Sequence, residues 1–174
     1  MGNPVSRHVV LDIETTGLYP HRGDRIVEIG AVAIESGKCV ADFENLVNCG
    51  KEIPQQAQEV HGISTEMLNR QPSPEDVLPR FLQFTTRSTL VAHNAKFDIG
   101  FLRCEVARLG LGIRNSYVCT LQMSRRLYPQ LPNFKLDTVC NFLLDETELN
   151  VNRHRALDDA RLTAKIWLRM TNLG

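Results

Sequence analysis

The sequence predicts an α/β fold: a mixed central sheet, made of a three-stranded antiparallel meander plus parallel strands, flanked by helices. Three apolar runs near the start, rich in Val and Ile, are separated by turn-forming residues, as in a meander. From about residue 89 onward, short strand-like runs alternate with helical ones, the pattern of helices packed on a sheet. No repeat, low-complexity stretch or Gly/Ser linker divides the 174 residues. A single domain over residues 7–172 is expected, with residues 1–6 as a short N-terminal extension. Such a chain buries about two-thirds of its unfolded surface.

Taken in order, Val9–Ile13 reads as the first strand and Arg25–Glu35 as the second. Ser36-Gly37-Lys38 turns the chain into a third, Cys39–Val47. Pro54–Val60 and Ser64–Arg70 read as short helices, the second with Ser64 as N-cap. Ser73–Thr86 is helical after two prolines, with Pro79 as a point of kinking. Thr89–His93 is a short apolar strand, and Lys96–Leu109 is a helix that stops at Gly110. Tyr117–Cys119 is a further strand, followed by helices near Leu121–Tyr128 and Leu136–Leu143 and a last one over Ala156–Met170.

Twenty basic residues balance twenty acidic ones. Wide electrostatic capture of a duplex needs a basic excess, so a large DNA footprint is excluded. An enzyme that grips only a strand terminus needs no such excess. The five cysteines, Cys39, Cys49, Cys104, Cys119 and Cys140, form no CxxC pair and read as reduced thiols of a cytoplasmic protein. No apolar run is long enough to span a bilayer, and Met1–His8 lacks a signal-peptide core, so no membrane partner is expected. Gly2 and Ser6 match the short myristoylation pattern, which is common by chance.

Three segments carry chemistry. In Asp12-Ile-Glu-Thr-Thr-Gly17, strand alternation puts Val9, Leu11 and Ile13 on one face and Val10, Asp12 and Glu14 on the other. Two neighbouring carboxylates repel unless a cation lies between them. Their hard oxygens suit Mg²⁺ or Mn²⁺ better than zinc. Gly17 allows a tight turn and a close backbone approach to a ligand. A solvated strand end with a salt-bridged Asp is the plainer reading of the same residues. In His93-Asn-Ala-Lys-Phe-Asp98, Asp98 lies on a stripe with Phe101, Leu102 and Leu109, where a carboxylate needs a partner or a metal. It also fits a helix start, where acids are favoured. His93 and Asn94 follow an apolar strand, where they can face a ligand or cap a loop. In His154-Arg-Ala-Leu-Asp-Asp159, the two aspartates point about 100° apart on a helix. Periodicity does not say which of them enters a site. His154 precedes the regular helix, where an imidazole can act as a general base or be incidental.

Together, and in this order and spacing, the three segments resemble the DnaQ-like 3′→5′ exonucleases of the DEDDh type, which include the proofreading subunits of bacterial replicative polymerases. Arg25-Ile-Val-Glu-Ile-Gly30, Val60-His-Gly-Ile63 and Arg126-Leu-Tyr-Pro129 extend the resemblance from about His8 to Trp167. It implies a ribonuclease-H-like fold and an exonuclease domain. It makes Asp12, Glu14, Asp98 and Asp159 the metal-holding acids, with Asp158 left as a helix-start residue and His154 as the general base. Thr15, Thr16, Gly17, Leu18, His61, His93, Asn94 and Phe97 are implied to line the pocket for the terminal nucleotide. Cys119 departs from the family, many of whose members carry Asp before the Thr120-Leu121 pair; only local packing is put in doubt.

The implied chemistry places two divalent ions, Mg²⁺ or Mn²⁺, about 4 Å apart at these acids. Water activated there attacks the terminal phosphodiester and a nucleoside 5′-monophosphate leaves. The first expectation for substrate is the 3′ end of single-stranded or frayed DNA, with a DNA polymerase as partner. An RNA 3′-trimming enzyme of the same family is the second, because 2′-hydroxyl recognition is not written in the motifs. A catalytically silent nucleic-acid-binding or scaffold module is the third, although none of the four acids is lost. Proofreading subunits often carry a further tail that grips the polymerase, and none follows Leu173-Gly174. A free-standing nuclease or one domain of a larger protein is therefore expected.

Overall fold

A computed structural model describes residues 6–149 and 154–171. Gly2 of the myristoylation pattern, residue 172 of the expected domain and most of the N-terminal extension lie outside the described residues.

The strands are β1 (Arg7–Thr15), β2 (Ile26–Glu35), β3 (Lys38–Leu46), β4 (Ser88–Ala92) and β5 (Tyr117–Cys119). They form one five-stranded sheet in the order β3-β2-β1-β4-β5. β1, β2 and β3 pair antiparallel, and β4 and β5 extend the sheet in parallel from β1. Ser36 and Gly37 both have positive φ (50° and 75°) and Glu35 pairs with Lys38, so the β2–β3 turn has two residues and β3 begins one residue early. The helices are α1 (Gln55–His61), α2 (Thr65–Leu68), α3 (Pro74–Phe84), α4 (Ala95–Arg108), α5 (Thr120–Leu127), α6 (Leu136–Leu143) and α7 (Ala156–Thr171). Ser64 caps α2 by accepting the Met67 N–H at 3.3 Å. α3 continues through Pro79. Two short 3-10 turns, Pro20–Arg22 and Glu146–Glu148, escape the sequence reading because three residues show no period.

Both faces of the sheet are covered. Val9, Leu11 and Ile13 of β1 pack with Val77, Leu78 and Phe81 of α3 and with Ile99, Phe101 and Leu102 of α4. Val10, Val32, Ile34 and Val91 face Leu157, Ala160, Ala164 and Trp167 of α7. α7 thus lies across β1 and β2, over the face that also carries Asp12 and Glu14. No helix among the described residues is long and apolar enough to cross a membrane.

Candidate active site

Beyond Val10 the face of β1 that meets α7 turns from apolar to acidic. Asp12 and Glu14 project there, and α7 brings the buried Asp159 against them. Each of the three offers a carboxylate oxygen, and these oxygens all lie within 4.8 Å of one another. The helix comes this close because of Gly30, which pairs with Asp12 across β1 and β2. A Cβ at Gly30 would run into the backbone of Ala156 and Leu157. Asp158 is turned aside and ion-paired with Arg161 at 3.3 Å.

Asp98 approaches from the opposite layer. β4 pairs with β1 only as far as Val10, so the following edge of β1 is open to α4. Asp98, 2% exposed, hydrogen-bonds there to the backbone of Ile13 as well as to its own. It lies close enough to Glu14 to act on its charge.

A second buried acid holds the start of α7. Glu28, directly across from Glu14 on β2, is wholly buried. Its Oε1 accepts from Arg155 Nε at 3.0 Å and Nη2 at 2.6 Å, and its Oε2 accepts the Ala156 N–H at 2.9 Å. That N–H is one of the helix-start donors that need an external acceptor. Arg25 and Glu105 make a similar pair, at 2.6 and 2.9 Å, which ties the start of β2 to α4 and explains how Glu105 can sit on an apolar stripe.

Charge accumulates at this spot. The Glu14 carboxyl is pushed up to about 8, first by burial and then by Asp159, Glu28 and Asp98, while Arg155 pulls the other way. Burial likewise raises Asp98, and backbone hydrogen bonds partly oppose the shift. A cluster of this kind favours protons or cations. Three convergent carboxylates, all hard oxygen donors, fit a divalent ion such as Mg²⁺ or Mn²⁺.

The other expected site residues are placed as follows. Thr15 and Thr16 are buried. Thr15 Oγ1 donates to the Gly17 carbonyl at 2.6 Å and Thr16 Oγ1 accepts the Arg25 N–H at 3.0 Å. Gly17 is needed less for its backbone angles than for room: a Cβ there would collide with the Asp24 carboxylate, which accepts the Tyr19 N–H at 2.8 Å. Leu18, 68% exposed, lines a groove together with Asn94 and Phe97. Asn94 has a left-handed φ of 67° at the start of α4, and Phe97 packs on Phe101 with ring centroids 4.9 Å apart. His61 is buried at the end of α1. Its Nδ1 accepts the Ile63 N–H at 3.0 Å, which leaves the proton on Nε2, a buried nitrogen without a hydrogen-bond partner among the described residues. His93 hydrogen-bonds to Thr120 Oγ1 and the Phe134 carbonyl, both at 2.9 Å, so its ring ties β4 to α5 and the loop before α6. His154 is exposed, with φ 61°, on the turn just before Arg155, and its charge is felt at His61.

Three residues were given no role by sequence reasoning: Glu28, Gly30 and Arg155. A signal for the first was present, since Glu28 is the one acid inside the apolar run Ile26–Ile34 and a buried carboxylate requires a partner. Nothing in the periodicity names Arg155 as that partner.

The exonuclease family RNase_T matches residues 9–167, a span that includes every one of these side chains. The chain belongs to this exonuclease family. It is 44% identical over 162 residues to a PolC-type DNA polymerase III of Caldanaerobacter subterraneus, covering 93% of this chain but 11% of that one. It is 37% identical over 173 residues to a DNA polymerase III epsilon subunit of Rickettsia prowazekii, covering 95% of this chain and 74% of that one. The chain therefore spans about a tenth of the length of its PolC-type relatives. Among solved structures, exonuclease X in complex with 5′ overhanging duplex DNA superposes with a TM-score of 0.77 at 30% identity, over 95% of this chain and 91% of that one. The nuclease domain of 3′hExo, a DEDDh family member bound to rAMP, shares the fold, with a TM-score of 0.82 at 17% identity over 100% and 96% of the two chains. The DnaQ-like membership and the ribonuclease-H-like fold implied by the motifs are both found.

Proposed function

We propose that this exonuclease domain removes nucleotides one at a time from the 3′ end of single-stranded or frayed DNA, releasing nucleoside 5′-monophosphates, in the manner of a proofreading nuclease. The observation that carries the reading is the convergence of Asp12, Glu14 and Asp159, within 4.8 Å, on the face of β1 that meets α7, with Asp98 alongside. Asp12, Glu14 and Asp159 would hold two divalent cations, Mg²⁺ or Mn²⁺, with Asp98 contributing directly or through water. Bound there, the cations would polarise the attacking water and offset charge on the departing 3′ oxygen.

The chain's own residues supply the rest. His154, exposed at the head of α7, takes the proton of the attacking water. Leu18 and Phe97, both in the lining of one groove, hold the last base, with Asn94 in the same lining and the buried His61 behind them. This grip suits an unpaired end, because it needs a π-face rather than a base sequence. The PolC-type and epsilon relatives support a DNA polymerase as partner and a cytoplasmic setting, in keeping with five free cysteines.

Digestion of matched 5′-labelled DNA and RNA oligonucleotides with Mg²⁺ tests the reading. A ladder shortening from the 3′ end of DNA is expected, with slower attack on RNA. Faster digestion of the RNA would give the chain to RNA trimming, and cuts within a circular single strand would remove it from the exonucleases.

A further inference from the structure

The groove that begins at Leu18 and Phe97 does not end with the space for one nucleotide. It has a volume of about 1080 Å³ and is lined by residues of α4 from Lys96 to Arg108 and by Tyr117 of the edge strand β5. We propose that this groove is the track for the upstream nucleotides of a single DNA strand whose 3′ end lies at the acid cluster. The proposal rests on the nuclease reading above and adds to it the path of the strand.

Charge segregation is the first support. The chain as a whole is neutral, with twenty acids, yet the groove is lined by Lys96, Arg103 and Arg108 and by no carboxylate. Glu105, the acid of α4 that could neutralise them, is 2% exposed and turned inward onto Arg25. It reaches Arg108 only at 4.0 Å, and among the described residues no carboxylate is paired with Lys96 or Arg103. The positive charge of this face is therefore available to phosphates.

Flat apolar faces are the second support. Phe97 and Tyr117, the latter 43% exposed, both line the groove, with the Arg103 guanidinium 6.0 Å from the centre of the Tyr117 ring. Cations alternating with aromatic faces are what a single strand requires: phosphates on the charges and bases on the rings. A duplex would need a wider basic surface. The 14 residues of α4 span about 21 Å, the length of about six stacked nucleotides. A substrate of more than a few nucleotides is thus needed to fill the track.

Two substrates separate the track from the acid cluster. The p-nitrophenyl ester of thymidine 5′-monophosphate reaches only the cluster and the terminal pocket, whereas a dT12 oligonucleotide reaches the whole groove. Tyr117→Ala should raise KM for dT12 about fivefold or more, the effect of losing one stacked base. Arg103→Gln should lower the slope of log(kcat/KM) against log[salt] by about 0.7, the loss of one phosphate contact to a single strand. Neither variant should change hydrolysis of the ester by more than about twofold. Arg87→Gln removes the same charge at the start of β4, the end of the strand remote from the acids, and should leave the dT12 slope unchanged. Fluorescence anisotropy of labelled dT12 in EDTA should show the same ranking without turnover. Equal dT12 affinity and salt slope in wild type, Tyr117→Ala and Arg103→Gln would overturn the track while leaving an active nuclease. A wild type that hydrolyses neither substrate would overturn the nuclease reading itself, and the track with it.

Discussion

Gly30→Ala isolates the packing that builds the site, because the substitution adds one methyl group and touches no acid. At this position a Cβ would overlap the Leu157 backbone nitrogen by about 1 Å relative to the 3.0 Å that real Cβ atoms keep. The atoms in the way belong to the Ala156–Leu157 backbone, so no side chain can rotate to make room. The start of α7 must withdraw from β2 by a similar distance. Overpacking of this kind costs about 1–3 kcal/mol, and rigid backbone puts this case near the upper figure. For a domain of this size, about 3 kcal/mol lowers the melting temperature by roughly 6–12 °C. Asp159, one turn along, moves with the helix, and a displacement of about 1 Å at reacting groups lowers turnover about 100-fold. Melts followed by circular dichroism and 3′ digestion of labelled DNA measure the two effects. Gly100→Ala is the stability control: its Cβ meets nothing within 4 Å, and Ala in a helix should stabilise by up to about 1 kcal/mol. A Gly30→Ala protein with wild-type melting and turnover would show that α7 is not held against β2 as described.

Asp159→Ala should lower turnover by several orders of magnitude in a folded protein, whereas Asp158→Ala, which gives up the pair with Arg161, should remain nearly as active; the opposite ranking in a digestion assay would reassign the acid. His154→Ala should lower kcat far more than it raises KM, since a general base acts in the transition state, and an unchanged kcat would remove it from the mechanism. In EDTA, stability should fall as pH rises from about 4.5 to about 8. Over that window the unfolded chain releases the Glu14 proton and the fold retains it, and above both values the slope disappears. His61, whose value is lowered by burial, acts in the other direction at the acid end. The Glu14 share is therefore read as the difference between melts of wild type and Glu14→Gln; saturating Mg²⁺ should flatten it, and a zero difference in EDTA would refute the buried, crowded state of Glu14.

The sheet was legible in the sequence because its signals are local. Alternation in Val9–Ile13 separates the core face from the acids, and Ser36-Gly37 marks a two-residue turn. The Tyr117–Cys119 strand and the helices around it follow from short apolar runs between turn residues. What stayed illegible depends on distant pairs. Asp158 and Asp159 are equivalent by periodicity, and only the packing of α7 on Gly30 turns one of them toward Asp12. Gly17 read as a site of unusual backbone freedom, whereas the space its side chain would need is taken by Asp24, seven residues away. The His93 ring is joined to a hydroxyl and a carbonyl 27 and 41 residues further on.

The acids come from three separate elements: Asp12 and Glu14 from β1, Asp98 from α4 on one face of the sheet and Asp159 from α7 on the other. No one element, and no single layer, contains the site. It exists only when both helical layers are docked, and the docking of α7 is set by β2 through Gly30 and the Glu28–Arg155 pair. The fold therefore gathers like charges that destabilise it, and two devices offset them: the Glu28 grip on the start of α7 and the raised proton affinity of Glu14 and Asp98. A cation held by the cluster would offset the same repulsion and would bind the assembled domain rather than the unfolded chain, so it would stabilise all three elements together. At ten times Kd the gain is about 1.4 kcal/mol, or roughly 3–6 °C in melting temperature. That gain should all but vanish in Asp12→Ala, which in EDTA should melt slightly above wild type because one repelling charge has gone. Equal Mn²⁺-induced shifts in the two proteins would mean that the carboxylates of β1 and α7 do not act as one site.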